Sequence, residues 1–271
     1  MNLATLEVDD VRLAVRSWGD PAAPPVVLVH GWGQSGRTWQ RLAARLPGFH
    51  VIAPDLRGHG ESDAPATGYA DPAVWAAELA AVLEFAGRPA VLVGWSYGGL
   101  VITDYVRERG TAGLAGVCFA GALTEIGRDR PGGRTGAVMR AALPRVLSDD
   151  PATAIPALTE FVQGMGVTDG AEVQRMVGET LRVPPAVRYA LFKRDSGSAE
   201  VLARMDVPVL VVHGTDDGVV DATSAEYTAG KIPGAKLRWF PKAGHVPFDE
   251  RAEEFSGVLD EFARECHAMT G

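Results

Sequence analysis

Gly94-Trp95-Ser96-Tyr97-Gly98 directly follows the apolar run Ala90-Val91-Leu92-Val93. A serine framed in this way sits on a sharp strand-to-helix turn, which needs glycine on both sides because neighbouring segments leave no room for a Cβ. Ser96 is therefore a candidate nucleophile. A serine hydroxyl is a poor nucleophile at neutral pH. It needs a histidine base, and that histidine needs a carboxylate to fix its tautomer and stabilise the imidazolium. Two later apolar runs supply both: Val209-Leu210-Val211-Val212 ends in His213-Gly214-Thr215-Asp216-Asp217, and Leu237-Arg238-Trp239-Phe240 ends in Pro241-Lys242-Ala243-Gly244-His245. The same chemistry needs N–H donors for a developing oxyanion, one of them from the loop after an early strand. Pro25-Val26-Val27-Leu28-Val29 followed by His30-Gly31-Trp32-Gly33 is such a strand and loop, so the backbone N–H groups of Trp32 and Tyr97 form the natural pair.

With the chain order Ser96, Asp217, His245, the His30-Gly31-Trp32-Gly33 loop and Pro54-Asp55-Leu56-Arg57-Gly58-His59-Gly60-Glu61-Ser62, the sequence resembles the α/β-hydrolase family in its serine-nucleophile branch. The resemblance runs from about Val26 to the C-terminus and is specific in residues 26–120 and 207–249. It implies Ser96 as nucleophile, His245 as base, Asp217 as orienting acid, and Trp32 and Tyr97 as oxyanion donors, with no cofactor and no metal. One departure is visible: many relatives carry proline four residues after the acid, where this chain has Asp221. Asp217 is favoured over Asp216 and Asp221 because the family's acid stands three residues after the glycine that ends the strand, here Gly214. Glu125 is a further rival, since some members place the acid at the end of the preceding strand.

Among the chemistries that share these residues, the expected one is hydrolysis of an ester-like small molecule through a covalent acyl-enzyme. Enol-lactone, amide and carbon–carbon bond hydrolysis, cofactor-free haloperoxidase (perhydrolase) activity and a lyase are alternatives on the same residues, and a slow-turnover ligand receptor is an alternative of another class. Haloalkane dehalogenases and epoxide hydrolases of this fold carry aspartate at the elbow, so Ser96 argues against both. The His30-Gly31-Trp32 and Gly94-Trp95-Ser96 contexts are similar to the cofactor-free haloperoxidases, although Tyr97 stands where those commonly have methionine.

The elements that must position these residues follow the same pattern. Leu6-Glu7-Val8 and Val11 to Val15 around Asp9-Asp10 predict an antiparallel hairpin, after which apolar strands alternate with helical stretches, the signature of an α/β fold with a mostly parallel sheet and helices on both faces. Asp71-Pro72 predicts a helix start, Gly110 a helix stop, and Phe255, Val258, Leu259 and Phe262 a docked C-terminal helix. Between Ala122 and Ser198 the β signal disappears into helical pieces: Gly136 to Leu147, Thr153 to Met165, Ala171 to Val183 and Pro185 to Arg194. The expected organisation is a core of residues 1–121 and 198–271 with a helical cap over 122–197. Met139, Leu143, Leu158, Phe161, Met165, Met176 and Phe192 are candidates to line an apolar acyl or alcohol pocket, the plain alternative being packing between cap helices.

The remaining conspicuous residues have structural readings. His30 is expected to orient the Trp32 loop, His59 with Asp55 and Arg57 to tie down the loop after the fourth strand, His213 and Trp95 to pack in the core, and His50 and His267 to lie at the surface. The 271 residues, 46% hydrophobic, suffice for one large core, and the net charge of −8 argues against a nucleic-acid surface. Cys118 and Cys266 are expected as unpaired thiols in a reducing compartment. The N-terminal segment has neither a basic region nor a long apolar run, so no signal peptide or membrane span is expected, and a cytoplasmic location follows.

Overall fold

The computed structural model describes residues 1–270. Eight strands form one sheet: β1 (Asn2–Val8), β2 (Val11–Trp18), β3 (Pro25–Val29), β4 (His50–Pro54), β5 (Ala90–Trp95), β6 (Leu114–Ala120), β7 (Val209–Gly214) and β8 (Lys236–Phe240), in the spatial order β1-β2-β4-β3-β5-β6-β7-β8. β1 pairs antiparallel with β2, and β2 antiparallel with β4; every later pair is parallel. Every residue of β3, β4, β5, β6 and β7 is buried, as expected where helices cover both faces of a parallel sheet. β1, at one edge, alternates between exposed and half-buried positions. The hairpin strands are longer than the apolar runs alone predict, because Arg16, Ser17 and Trp18 continue the ladder beside β4.

The helices are α1 (Gln40–Ala43), α2 (Pro72–Ala86), α3 (Gly98–Arg109), α4 (Ala137–Val146), α5 (Pro151–Gly164), α6 (Gly170–Arg182), α7 (Pro185–Ala190), α8 (Ala199–Ala203), α9 (Ala222–Lys231), α10 (Pro247–Glu250) and α11 (Ala252–Thr270). Four of their starts are written in side chains. Asp71, Asp150, Asp169 and Asp221 each accept the N–H of the residue two further on, the bond that satisfies an orphan donor of a first turn. Four helices, α4 to α7, fall within residues 122–197 and α8 follows before β7, and Pro185 to Arg194 is helical only as far as Ala190.

Two expectations about histidines change. His50 is buried, since it opens β4 beside Pro25 of β3, and His267 on α11 is half-buried with its ring against the carbonyl of Pro25. Cys118 and Cys266 are free and buried. Among the described residues no helix is long and apolar enough to cross a membrane.

The loops that matter all leave the C-terminal ends of the parallel strands. That edge is where open α/β sheets place ligands.

Candidate active site

β5 runs into Ser96, whose φ of +54° is in the left-handed region that residues with a Cβ enter at a cost of about 1–3 kcal/mol. The surroundings hold it there. Ser96 N–H donates to the Ala120 carbonyl at 3.2 Å, and its own carbonyl accepts from Gly99 and Leu123, each at 3.0 Å. A Cβ on Gly98 would stand 2.4 Å from the carbonyl oxygen of Val29, and one on Gly94 2.8 Å from Ile102 Cδ1. Both glycines of the pentapeptide are thus required by close approach. Ser96 itself packs against the Trp32 loop, with Gly31 leaving no space for a side chain beside the serine Cβ.

The end of β7 and the loop after β8 meet next to it. His245 Nδ1 lies 2.8 Å from Asp217 Oδ2, and both side chains are 1% exposed. The other carboxylate oxygen, Oδ1, accepts the N–H groups of Val219 at 2.8 Å and Val220 at 3.0 Å. Burial opposes the charge on Asp217, but His245, His213 and the Val220 amide together hold its carboxyl below the usual carboxylate range. An ionised Asp217 accepts only, so Nδ1 of His245 is the donor in this contact and Nε2 is the ring atom left to face a substrate proton. Gly121, at the end of β6, is what leaves room: with φ at +51°, a Cβ there would lie 3.3 Å from both Asp217 Oδ2 and His245 Nδ1.

Partners that the sequence does not point to hold the His245 loop. Glu250 accepts the N–H of Gly244 at 2.9 Å and that of Val246 at 3.1 Å, one on each side of the histidine. Trp95, buried as expected, also donates its indole N–H to the His245 carbonyl at 2.8 Å, with the two rings 5.4 Å apart. Their signal is absent from the sequence because each bond joins residues of different loops, or goes to backbone.

The rival carboxylates are occupied elsewhere. Asp221 caps α9, and Asp216 is exposed beside Thr215. Glu125 closes the neck of the inserted segment: Oε1 accepts from the Ser198 N–H at 2.8 Å and the Tyr227 hydroxyl at 3.1 Å, and Oε2 from the Gly132 N–H at 3.0 Å.

Around the Trp32 loop, His30 Nε2 accepts the N–H of Leu56 at 3.0 Å and His59 Nε2 that of Gly33 at 3.2 Å. Each ring must then carry its proton on Nδ1 and donate it to a carbonyl, Gly31 for His30 and Arg57 for His59, at 2.8 and 2.9 Å. Both are neutral supports: burial pushes His30 down, and His59 down to about 3. Asp55 braces the same loops by accepting the N–H groups of Gly36 at 2.7 Å and Glu61 at 2.8 Å, paired with buried Arg16. The N–H groups of Trp32 and Tyr97 are left without a protein acceptor among the described residues, Tyr97 standing just before the first turn of α3.

Of the expected pocket residues, Phe161 and Phe192 stand against the Trp32 ring, at 5.9 and 5.7 Å between centroids. Met165 reaches the site through its carbonyl, which accepts the His245 N–H at 2.8 Å. Met139, Leu158 and Met176 are buried, and Leu143 is half-buried. Among the described residues there is no group of three or more His, Cys, Asp or Glu side chains that could hold a metal ion.

A family model described as "Alpha/beta hydrolase family" matches residues 26–258. A pimeloyl-acyl-carrier-protein methyl ester esterase from Neisseria meningitidis is 30% identical over 251 residues, covering 89% of this chain and 93% of the relative. A non-heme chloroperoxidase from Streptomyces lividans is 32% identical over 272 residues, covering 94% and 97% respectively. Among solved structures, an esterase from Rhodococcus sp. ECU1013 superposes with a TM-score of 0.94 at 42% identity, covering 97% of this chain and 99% of that one. Matched in this way over most of its length, the chain belongs to the α/β-hydrolase family of enzymes.

Proposed function

We propose that the protein hydrolyses small-molecule esters, with Ser96 as nucleophile, His245 as general base and acid, Asp217 as the acid that orients it, and the N–H groups of Trp32 and Tyr97 as oxyanion donors. The observation that carries this reading is the buried 2.8 Å contact between His245 Nδ1 and Asp217 Oδ2 beside a serine held at positive φ. The esterase names of the similar proteins support it.

In the first half-reaction Ser96 Oγ attacks the ester carbonyl carbon while His245 Nε2 takes its proton. The carbonyl oxygen becomes an oxyanion that accepts from the Trp32 and Tyr97 N–H groups. Collapse breaks the bond to the alcohol oxygen, which leaves with the proton from His245, and an acyl ester remains on Ser96. Water then repeats the sequence, giving its proton to His245 and releasing the carboxylic acid. Asp217 keeps Nδ1–H aimed and stabilises the imidazolium at each step. The apolar wall of Trp32, Phe161 and Phe192 suits an apolar acyl or alcohol group.

Residues 1–121 with 198–271 are proposed as the catalytic core and 122–197 as a lid. The antiparallel bridge between Ile126 and Ser196, next to the Glu125 clamp, supports a neck at that boundary.

The test is hydrolysis of p-nitrophenyl esters of increasing acyl length by wild type and Ser96→Ala, with the acyl-enzyme mass trapped on Ser96. The expected result is one preferred chain length and a loss in the mutant on the order of 10⁶-fold in kcat. Negligible activity on every ester, with no trapped mass, would overturn the reading and favour carbon–carbon cleavage or ligand reception.

A further inference from the structure

The two proposed oxyanion donors belong to residues whose side chains both end on one stretch of the cap. Trp32 donates its indole N–H to the Arg188 carbonyl at 3.4 Å, and its ring packs on Phe192. Tyr97 donates its hydroxyl to the Leu191 carbonyl at 3.1 Å. Burial pushes the Tyr97 phenol up to about 12 against the opposing effect of Arg194, so it remains a donor throughout the neutral range.

This stretch is fixed to the core by Arg194. Its Nη1 donates to the Tyr97 hydroxyl at 3.1 Å, and its Nη2 donates to Asp104 Oδ2 on α3, the helix whose first turn follows Tyr97. Both charged side chains are 1% exposed. The guanidinium also lies 5.9 Å from the ring centroids of Tyr97 and Trp75. An apolar pair of similar volume often stabilises a core as well as a buried ion pair does, because the charges must be desolvated. What the ion pair adds is direction: a planar fork with fixed donor angles sets where the tyrosine hydroxyl and the 188–192 backbone sit. Oxyanion donors act only within a few tenths of an ångström of their place.

We infer that Arg194, paired with Asp104, is a positioning residue for the oxyanion hole, holding residues 188–194 of the cap against the side chains of Trp32 and Tyr97 so that cap seating and donor spacing are set together. The inference rests on the assignment of Ser96, Trp32 and Tyr97 proposed above.

Tyr97→Phe, Arg194→Gln, Arg194→Lys and Ser96→Ala are compared with wild type on p-nitrophenyl butyrate. Thermal unfolding is followed, and phenylboronic acid, whose tetrahedral serine adduct carries an oxygen where the oxyanion forms, serves as inhibitor. Tyr97→Phe and Arg194→Gln are expected to lower kcat by about tenfold with little change in KM, against the roughly 10²- to 10³-fold cost of deleting a donor outright. The boronate inhibition constant should rise by a similar factor, and Arg194→Lys, which keeps the charge but not the planar fork, should stay near the Arg194→Gln kcat. Unchanged kcat with a lower Tm, or a raised KM at constant kcat, overturns the inference, since the residues would then only stabilise the fold or wall the pocket. Should Arg194→Gln fail to fold, Tyr97→Phe decides, because it removes one hydroxyl and keeps the ion pair. An active Ser96→Ala would mean that the underlying assignment has failed; an inactive one beside undiminished positioning variants would sink this inference alone.

Discussion

The backbone carbonyl of Met165, just past α5 in the cap, accepts the backbone N–H of His245 at 2.8 Å. The candidate base is therefore held from above by the cap and from below by Glu250, whose carboxylate receives the N–H groups flanking it. Hydrogen bonds to a charged acceptor contribute about 1.5–3 kcal/mol each. Glu250→Ala is expected to lower kcat by about tenfold or more with a smaller effect on KM, because the ring loses its aim while the pocket keeps its walls. Steady-state kinetics with a thermal melt checks this, and undiminished kcat refutes it.

The three neighbouring aspartates separate by role. Asp217→Asn should reduce kcat on the order of 10⁴-fold through the wrong histidine tautomer. Asp221→Ala removes the N-cap of α9 and should cost about 1 kcal/mol of stability while leaving kcat near wild type. Asp216→Asn should change neither. Urea unfolding and kinetics on the three variants decide; a damaged kcat in Asp221→Ala would move the acid.

Gly121→Ala tests the space around the pair. A Cβ at this positive φ crowds both Asp217 Oδ2 and His245 Nδ1, so kcat should fall on the order of 10²-fold. In an Asp217→Asn background the same change should cost far less, because the contact it disturbs no longer holds the productive tautomer. Full additivity of the two losses, measured in a double-mutant cycle, would show that Gly121 acts elsewhere.

Buried His30 and His59 make stability depend on pH with a definite sign. Burial holds His59 down to about 3 and lowers His30 as well, so the folded chain keeps both neutral. The unfolded chain binds a proton on each below about 6.5. For His59 the contribution is fully present above that pH and lost as pH falls from about 6.5 toward 3, at up to roughly 1.4 kcal/mol per pH unit, and His30 acts in the same direction. Unfolding free energies at pH 5 to 8 should show this slope, and His59→Gln should reduce it by one proton's worth; an unchanged slope counts against a neutral, buried His59.

Much of the frame was legible because its causes are local. Gly94 and Gly98 announce a turn that only glycine fits, and Asp71 before Pro72 announces a helix start. The family resemblance singles out Asp217 over Asp216 and Asp221 by its place after Gly214, and the buried bond to His245 supports proposing it as the acid. His50 was misread because a lone polar residue opening a strand says nothing about what packs on it. The helix read through Arg194 ends at Ala190, since Leu191 and Arg194 are drawn to Tyr97. Glu250, Arg194 and the Met165 carbonyl left no trace in the chain's pattern, because their partners are distant residues or backbone groups that every residue type carries.

The cap grips the site through main-chain oxygens, those of Met165, Arg188 and Leu191. A carbonyl is indifferent to the side chain that bears it. These three bonds therefore constrain the path of the chain and not the residue type, which burial limits separately. Enzymes descended from a common ancestor with this one are thus expected to differ in what lines the roof long before they differ in the lengths of its segments. An engineer seeking new substrates has a matching rule: keep the loop lengths between 165 and 194 and the Arg194 side chain, and look for new specificity in the side chains that face the pocket.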